Sequence, residues 1–224
     1  MIPTLIDKQD TFEIIRDKIA VILATESANQ VALATTASKP NPADWKLRVF
    51  LERSNPFEEF LNYKEGDDVS PLVNVWYDNS NFDESASNVA KRQKATGVYN
   101  IDCYGFGLAE DVSGGGHKPG DKEASIVVHR AVRLVRNILM AAEYTYLDLR
   151  GIVWQRWTQS INILQPEIEN QAVQQIVAAR IAFRVIFNEL SPQVATETLE
   201  QVFVDVKRAE NGEILAEANY DYTV

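Results

Sequence analysis

The stretch Asp121–Leu147, DKEASIVVHRAVRLVRNILMAAEYTYL, limits the fold more than any other. Val127, Val128, Ala131, Leu134, Val135, Ile138, Leu139 and Ala142 recur at helical spacing and share one broad face. His129, Arg130, Arg133 and Arg136 fall on the opposite face. Pro119 and Gly120 bar a helix from continuing upstream, and Asp121 is placed to cap it. Runs with strand character lie on both sides. A helix with one apolar face between strands calls for a sheet against that face. The expectation is therefore one α+β domain over 1–224: a mostly antiparallel β-sheet packed against one long central helix, with an N-terminal helix and an extended β-hairpin.

The remaining segments fill in that scheme. Asp10-Thr11-Phe12-Glu13 has the form of a capping box, opening a helix to about Ser27. Phe12, Ile15, Ile19, Ile22 and Leu23 line one side of it, with Ile14 and Val21 nearly opposite. A helix apolar on two sides is either sandwiched in its own domain or shared with a neighbouring chain. The following VALATTASKPNPAD reads as weakly structured. Trp45–Leu51 and Leu72–Tyr77 read as strands, with a short helical turn near Phe57, Phe60 and Leu61 between them. Residues 78–96 read as an extended loop, acidic first (Asp78, Asp83, Glu84) and then basic (Lys91, Arg92, Lys94). Such a loop is either solvated or pairs with its copy on an adjacent subunit. Gly97–Leu108 resumes strand character, completing a hairpin with a long tip, and 108–121 reads as a flexible Gly-rich connector.

Past the helix, Val153–Leu164 is a strand pattern, and Val173–Leu190 contains the strongest one. Val177, Ala179, Ile181, Phe183, Val185 and Phe187 point one way; Ala178, Arg180, Ala182, Arg184 and Ile186 point the other. A short helical piece is expected from Ser191-Pro192 to Glu200. A C-terminal β-hairpin over 201–224 turns at Asn211-Gly212.

Chemistry is sparse. There is no phosphate loop, dinucleotide fingerprint, zinc spacing, EF-hand or nucleophile elbow, so no catalytic, cofactor or metal residue is assigned. Gly114-Gly115-Gly116-His117-Lys118 precedes a helix, but Pro119 and Asp121 spoil it as an anion cradle. The one cysteine, Cys103, lies in a strand pattern and reads as a buried or half-buried thiol, in keeping with a reducing cytoplasm. The N-terminus lacks the pattern of a signal peptide, and no apolar run is long enough to span a bilayer. A net charge of −10 argues against binding nucleic acid by phosphate neutralisation. It fits either ordinary solubility or a wall past which DNA slides.

The order of elements is similar to that of the tail-terminator (tail-completion) proteins of long-tailed bacteriophages. Thr11–Ser27, Pro71–Phe106, Glu123–Leu147 and Ala178–Val206 carry the likeness. The resemblance implies a structural virion protein without active site or cofactor, assembled in the host cytoplasm. It implies a hexameric ring that caps the tail tube, stops elongation and offers a surface to a neck or head-completion protein. DNA would pass through its lumen without specific binding. On this reading Asp83, Glu84, Lys91, Arg92, Lys94, Arg180 and Arg184 are candidates for the subunit or tube interface. A head–tail connector (neck adaptor) is the nearest alternative, and a small α+β enzyme with an unrecognised site the more distant one.

Overall fold

A computed structural model describes residues 9–83, 92–112, 116–164, 176–190, 201–207 and 214–221. The sequence reading places one domain over 1–224, whereas internal contacts divide the chain into two units. The larger is Ile6–Ser191; the smaller comprises Met1–Leu5 with Pro192–Val224. The described part of the smaller unit is a hairpin, β8 (Gln201–Lys207) paired antiparallel with β9 (Ile214–Asp221). The expected turn at Asn211-Gly212 and the helical piece from Ser191 to Glu200 lie outside the described residues.

The larger unit is built on a five-stranded sheet. Its strands are β1 (Arg48–Leu51), β2 (Leu72–Phe82), β3 (Arg92–Phe106), β6 (Val153–Leu164) and β7 (Ile176–Leu190), in the order β1-β2-β3-β7-β6. All neighbours are antiparallel except β1 and β2, which run parallel. The segment between β1 and β2 contains the four-residue helix α2 (Glu58–Leu61), which allows the chain to return in the same direction. The alternation read in β7 is the one observed: Val177, Ala179, Ile181, Phe183, Val185 and Phe187 are all buried.

That buried face carries two helices. α1 spans Thr11–Thr36 and α3 spans Gly120–Leu139. The scheme of one long central helix is therefore corrected, since α1, at 26 residues, is longer than α3, at 20. α1 opens as expected, with Glu13 Oε2 accepting the Asp10 N–H at 2.9 Å. It runs past Ser27 through the stretch read as weakly structured, because Ala28, Ala32 and Ala34 favour helix, and Pro40 and Pro42 come only later. Ile15, Ile19 and Leu23 are fully buried while Val21 is exposed.

α3 begins two residues earlier than expected, with Pro119 rather than Asp121 at the N-cap position. Its apolar face is buried from Ala124 to Leu139, and His129, Arg133 and Arg136 are exposed. It stops at Leu139 instead of Leu147. Arg156 explains the stop: its guanidinium donates to the Ala141 and Tyr144 carbonyls, each at 2.5 Å. Those carbonyls belong to the 3₁₀ turn Ala142–Tyr144 and its flank, which takes the place of a last helical turn. The N-terminal half of α3 sits directly on β3. A side chain at Gly105 would place its Cβ 2.6 Å from the Ala124 carbonyl, and one at Gly107 would strike the Gly120 carbonyl. The two glycines flanking Phe106 thus set the helix-to-sheet distance.

Two expected irregular segments contain strands. Within 78–96, β2 continues to Phe82 past a bulge between Tyr77 and Asn79, and β3 starts at Arg92. Pairing with β7 as far as Leu190 supports these polar residues in extended form. Within 108–121, β4 (Glu110–Val112) pairs with β5 (Gly116–Lys118).

Candidate functional site

The second face of the sheet differs from the first. At one end Phe60, with Phe57 and Leu61, covers Leu72, Phe106 and Ile176. Phe60 stacks on Phe106 with ring centroids 5.2 Å apart. Beside this small apolar cluster lies a polar one. Strand register aligns Asn74, Asp102, Arg180 and Asn162 across four strands, with Trp76, Asn100, Ala182 and Ser160 in the next row.

Asp102 is its centre and is 5% exposed. Arg180 donates to it twice, Nε to Oδ1 at 2.7 Å and Nη2 to Oδ2 at 2.9 Å. Trp76 Nε1 donates to Oδ2 at 2.9 Å. Tyr104 lies beside the same carboxylate. Three hydrogen bonds from two side chains hold the carboxylate. The Arg180 guanidinium also lies over the Trp76 ring, 4.9 Å from its centroid. Hydrogen bonds donated to Asp102, above all, raise the pKa of Arg180 against the opposing effect of burial. Burial first, and the Asp102 charge second, push the Tyr104 phenol up to about 12.

Asn74 anchors the neighbouring turn. Its Oδ1 accepts the Arg53 N–H and its Nδ2 donates to the Arg53 carbonyl, both at 3.0 Å. This holds the end of β1, where Glu52 has a φ of +45°. Arg53 and Arg48 then converge on Glu59, at 2.5 and 2.7 Å. The result is a cleft lined by Arg53, Asn74, Trp76, Asp102, Tyr104 and Arg180. Chemically it is a hydrogen-bonded ion pair between aromatic rings. It fixes three strands, β2, β3 and β7, relative to one another and presents no free base or nucleophile.

The two edges of the sheet also differ. β1 has four residues and is followed by Glu52, Glu58, Glu59, Glu65, Asp67 and Asp68. β6 has twelve residues and no carboxylate or lysine. Its one charged residue, Arg156, is turned to the carbonyls noted above. Bulges interrupt β6 at Val153/Gln155 and Thr158/Ser160. From Ser160 to Leu164 the pairing with β7 is regular, and Ile161, Ile163 and Leu164 are exposed.

The residues singled out from the sequence are dispersed over this frame. Asp83, Arg92 and Lys94 gather at the open end of the β2–β3 hairpin, where the Asp83 N–H donates to the Lys94 carbonyl at 3.0 Å. Arg92 and Lys94 are exposed. Glu84 and Lys91 lie outside the described residues. Arg180 finds its carboxylate, Asp102, within its own chain. Arg184 Nε donates to Gln159 Oε1 at 2.7 Å. Cys103 is fully buried, and burial pushes its thiol well above the usual range. Sequence reasoning missed Asn74, Trp76, Asp102 and Tyr104. Their signal was polar or amphipathic residues at alternate positions in otherwise apolar strand runs, LVNVWY and YNIDCY.

Among the described residues, no group of His, Cys, Asp and Glu could hold a metal ion. No helix there is long and apolar enough to cross a membrane. No protein-family model matches the chain, and no curated protein matches it in sequence.

Proposed function

We propose that this chain is a structural protein of a long-tailed bacteriophage virion. It closes the tail tube as a homo-oligomeric ring, ends tail elongation and offers its outer surface to the neck. The observation that supports this most is the order and placement of elements. A long N-terminal helix and one crossing helix share a face of the sheet, and β2 and β3 form a hairpin of 11 and 15 residues. Opposite charges, Asp83 against Arg92 and Lys94, sit at the end of that hairpin, where a neighbouring subunit or the tube would meet it. Arg180 is held by Asp102 within its own chain, and the other described interface candidates are this group and Arg184. The acidic balance of the chain suits a lumen past which DNA slides, since phosphate is repelled.

The test is genetic and visual. Lysates lacking the protein should contain filled heads without tails, beside tails of uncontrolled length. Tails of normal length that fail to join heads would instead assign the protein to the neck. Normal virions with a metabolic defect would assign it to neither.

A further inference from the structure

The guanidinium of Arg156 joins the end of α3 to the edge strand β6. Nε donates to the Tyr144 carbonyl and Nη2 to the Ala141 carbonyl, each at 2.5 Å. Its third contact is of another kind: Nη1 points at the Met140 sulfur, 3.6 Å away. No carboxylate opposes this cation among the described residues; burial alone acts on it and lowers its pKa. Two carbonyls just past the helix and one thioether hold it.

A thioether sulfur is a weak acceptor, so Nη1 is the poorly served corner of this joint. The sulfur is also open to reagents. Met140 is 37% exposed and sits at the C-cap of α3, outside the dry layer on the sheet. Its backbone is fixed, the N–H donating to the Arg136 carbonyl at 2.9 Å, whereas its side chain is unbranched and turns freely. The chain has two methionines, Met1 and Met140, and one cysteine. Cys103 is fully buried, and burial keeps its thiol protonated, the form that resists oxidation.

We infer that Met140 is a reversible oxidation site whose sulfoxide is held by Arg156. The oxidant is a hydroperoxide. A sulfur lone pair attacks one peroxide oxygen; an S–O bond forms and the O–O bond breaks. The sulfur is oxidised by one electron pair and the peroxide is reduced by it. The proton of the transferred hydroxyl passes to the departing oxygen, which leaves as water when the oxidant is hydrogen peroxide. Two thiols reverse the step through a methionine sulfoxide reductase: they become a disulfide, and the oxygen leaves as water.

The product differs from the thioether in the property that Nη1 lacks a partner for. A sulfoxide oxygen carries partial negative charge and is a strong acceptor. A turn about the last side-chain bonds brings it to Nη1, where a charge-assisted hydrogen bond replaces the weak sulfur contact. In a core, a sulfoxide disrupts packing. At this surface joint it supplies the missing acceptor, so oxidation tightens the union of α3 with β6 instead of loosening it.

The experiment treats the purified full-length chain with dilute hydrogen peroxide and locates added oxygen by peptide mass spectrometry. Met140 should gain one oxygen while Cys103 stays unmodified. In denaturant, the unfolding equilibrium constant of the oxidised chain should be about fivefold smaller than that of the untreated one, the contribution of one added hydrogen bond. Met140→Leu should abolish this shift, which separates it from oxidation at Met1, and reductase with dithiothreitol should reverse it. Met140→Gln offers an amide oxygen without any oxidant and should be more stable than Met140→Leu. In an Arg156→Met background that preference should disappear or reverse. An oxidised chain no more stable than the untreated one overturns the inference. So does a Met140 that stays unmodified while Met1 is converted, or a preference for glutamine that survives the loss of Arg156. Should Arg156→Met fail to fold, glutamine against leucine beside the native Arg156 still decides, since leucine equal or better overturns the proposal.

Discussion

The two faces of the five-stranded sheet are made from alternate residues of the same strands, yet they are held by different forces. On the helix side Val73, Val75, Tyr99, Ile101, Ile181, Phe183 and Val185 form a dry layer under α1 and α3. On the other side the same strands carry Asn74, Trp76, Asp102, Tyr104 and Arg180, with a buried carboxylate that accepts three hydrogen bonds. The dry face gains stability from area removed from water, about 1.5–3 kcal/mol per large side chain. The polar face gains little net energy from its ion pair, because desolvation offsets most of the attraction. What it gains is register, since a carboxylate held from both neighbouring strands tolerates no slip of β2, β3 or β7.

The contrast can be tested by truncation, and the largest effect belongs to the dry face. Phe183→Ala should cost about 3–5 kcal/mol in reversible denaturant unfolding. A loss below 1 kcal/mol would show that the helices do not rest on this layer. On the polar face the two halves of the ion pair should be unequal. Arg180→Ala leaves Asp102 buried without its countercharge and should cost about 3 kcal/mol. Asp102→Ala frees an arginine whose side chain is already 38% exposed. It should cost about 1–2 kcal/mol, the loss of charge-assisted hydrogen bonds. Equal losses would mean that Asp102 has other compensation. Gly105→Ala, at the contact between β3 and α3, should cost about 1–3 kcal/mol by overpacking.

The smallest effect concerns pH. Tyr104 has a folded pKa near 12, above the ordinary phenol value of about 10. The folded state therefore keeps a proton that the unfolded state loses. Its contribution is complete below pH 10 and is lost as pH rises toward 12. Tyr104→Phe should flatten the alkaline limb of a stability profile over that window, and Tyr99, also raised by burial, should keep the rest of the slope.

The dry face was legible in the sequence because its signals are local. Alternation in β7 and the 3.6-residue period of α3 can each be read within one segment. The same locality allowed Cys103 to be read as buried. The length of α1 was missed because its second half has helix propensity but little apolar period, so propensity alone decided it. The end of α3 was missed because Arg156, from another element, sets it. The polar face was missed as a unit because its members lie on three strands. Arg180 was visible as a polar residue on an outward parity, and so was Asp102. Nothing within either segment shows that they meet, and the parallel pairing of β1 with β2 is nonlocal in the same way.

The place of β3 at the middle of the sheet also bears on how the chain is made. β2 precedes β3 closely, but its other neighbour, β7, comes much later: Asp102 and Arg180 are 78 residues apart. At synthesis rates of about 5–20 residues per second, the second neighbour emerges on the order of ten seconds after the first. During that interval β3 offers a long unpaired side to any other nascent chain. Arg92, Lys94 and Asp102, spaced along the strand, are the charges that guard it while it waits, and in vitro the pairing with β7 should form late in folding.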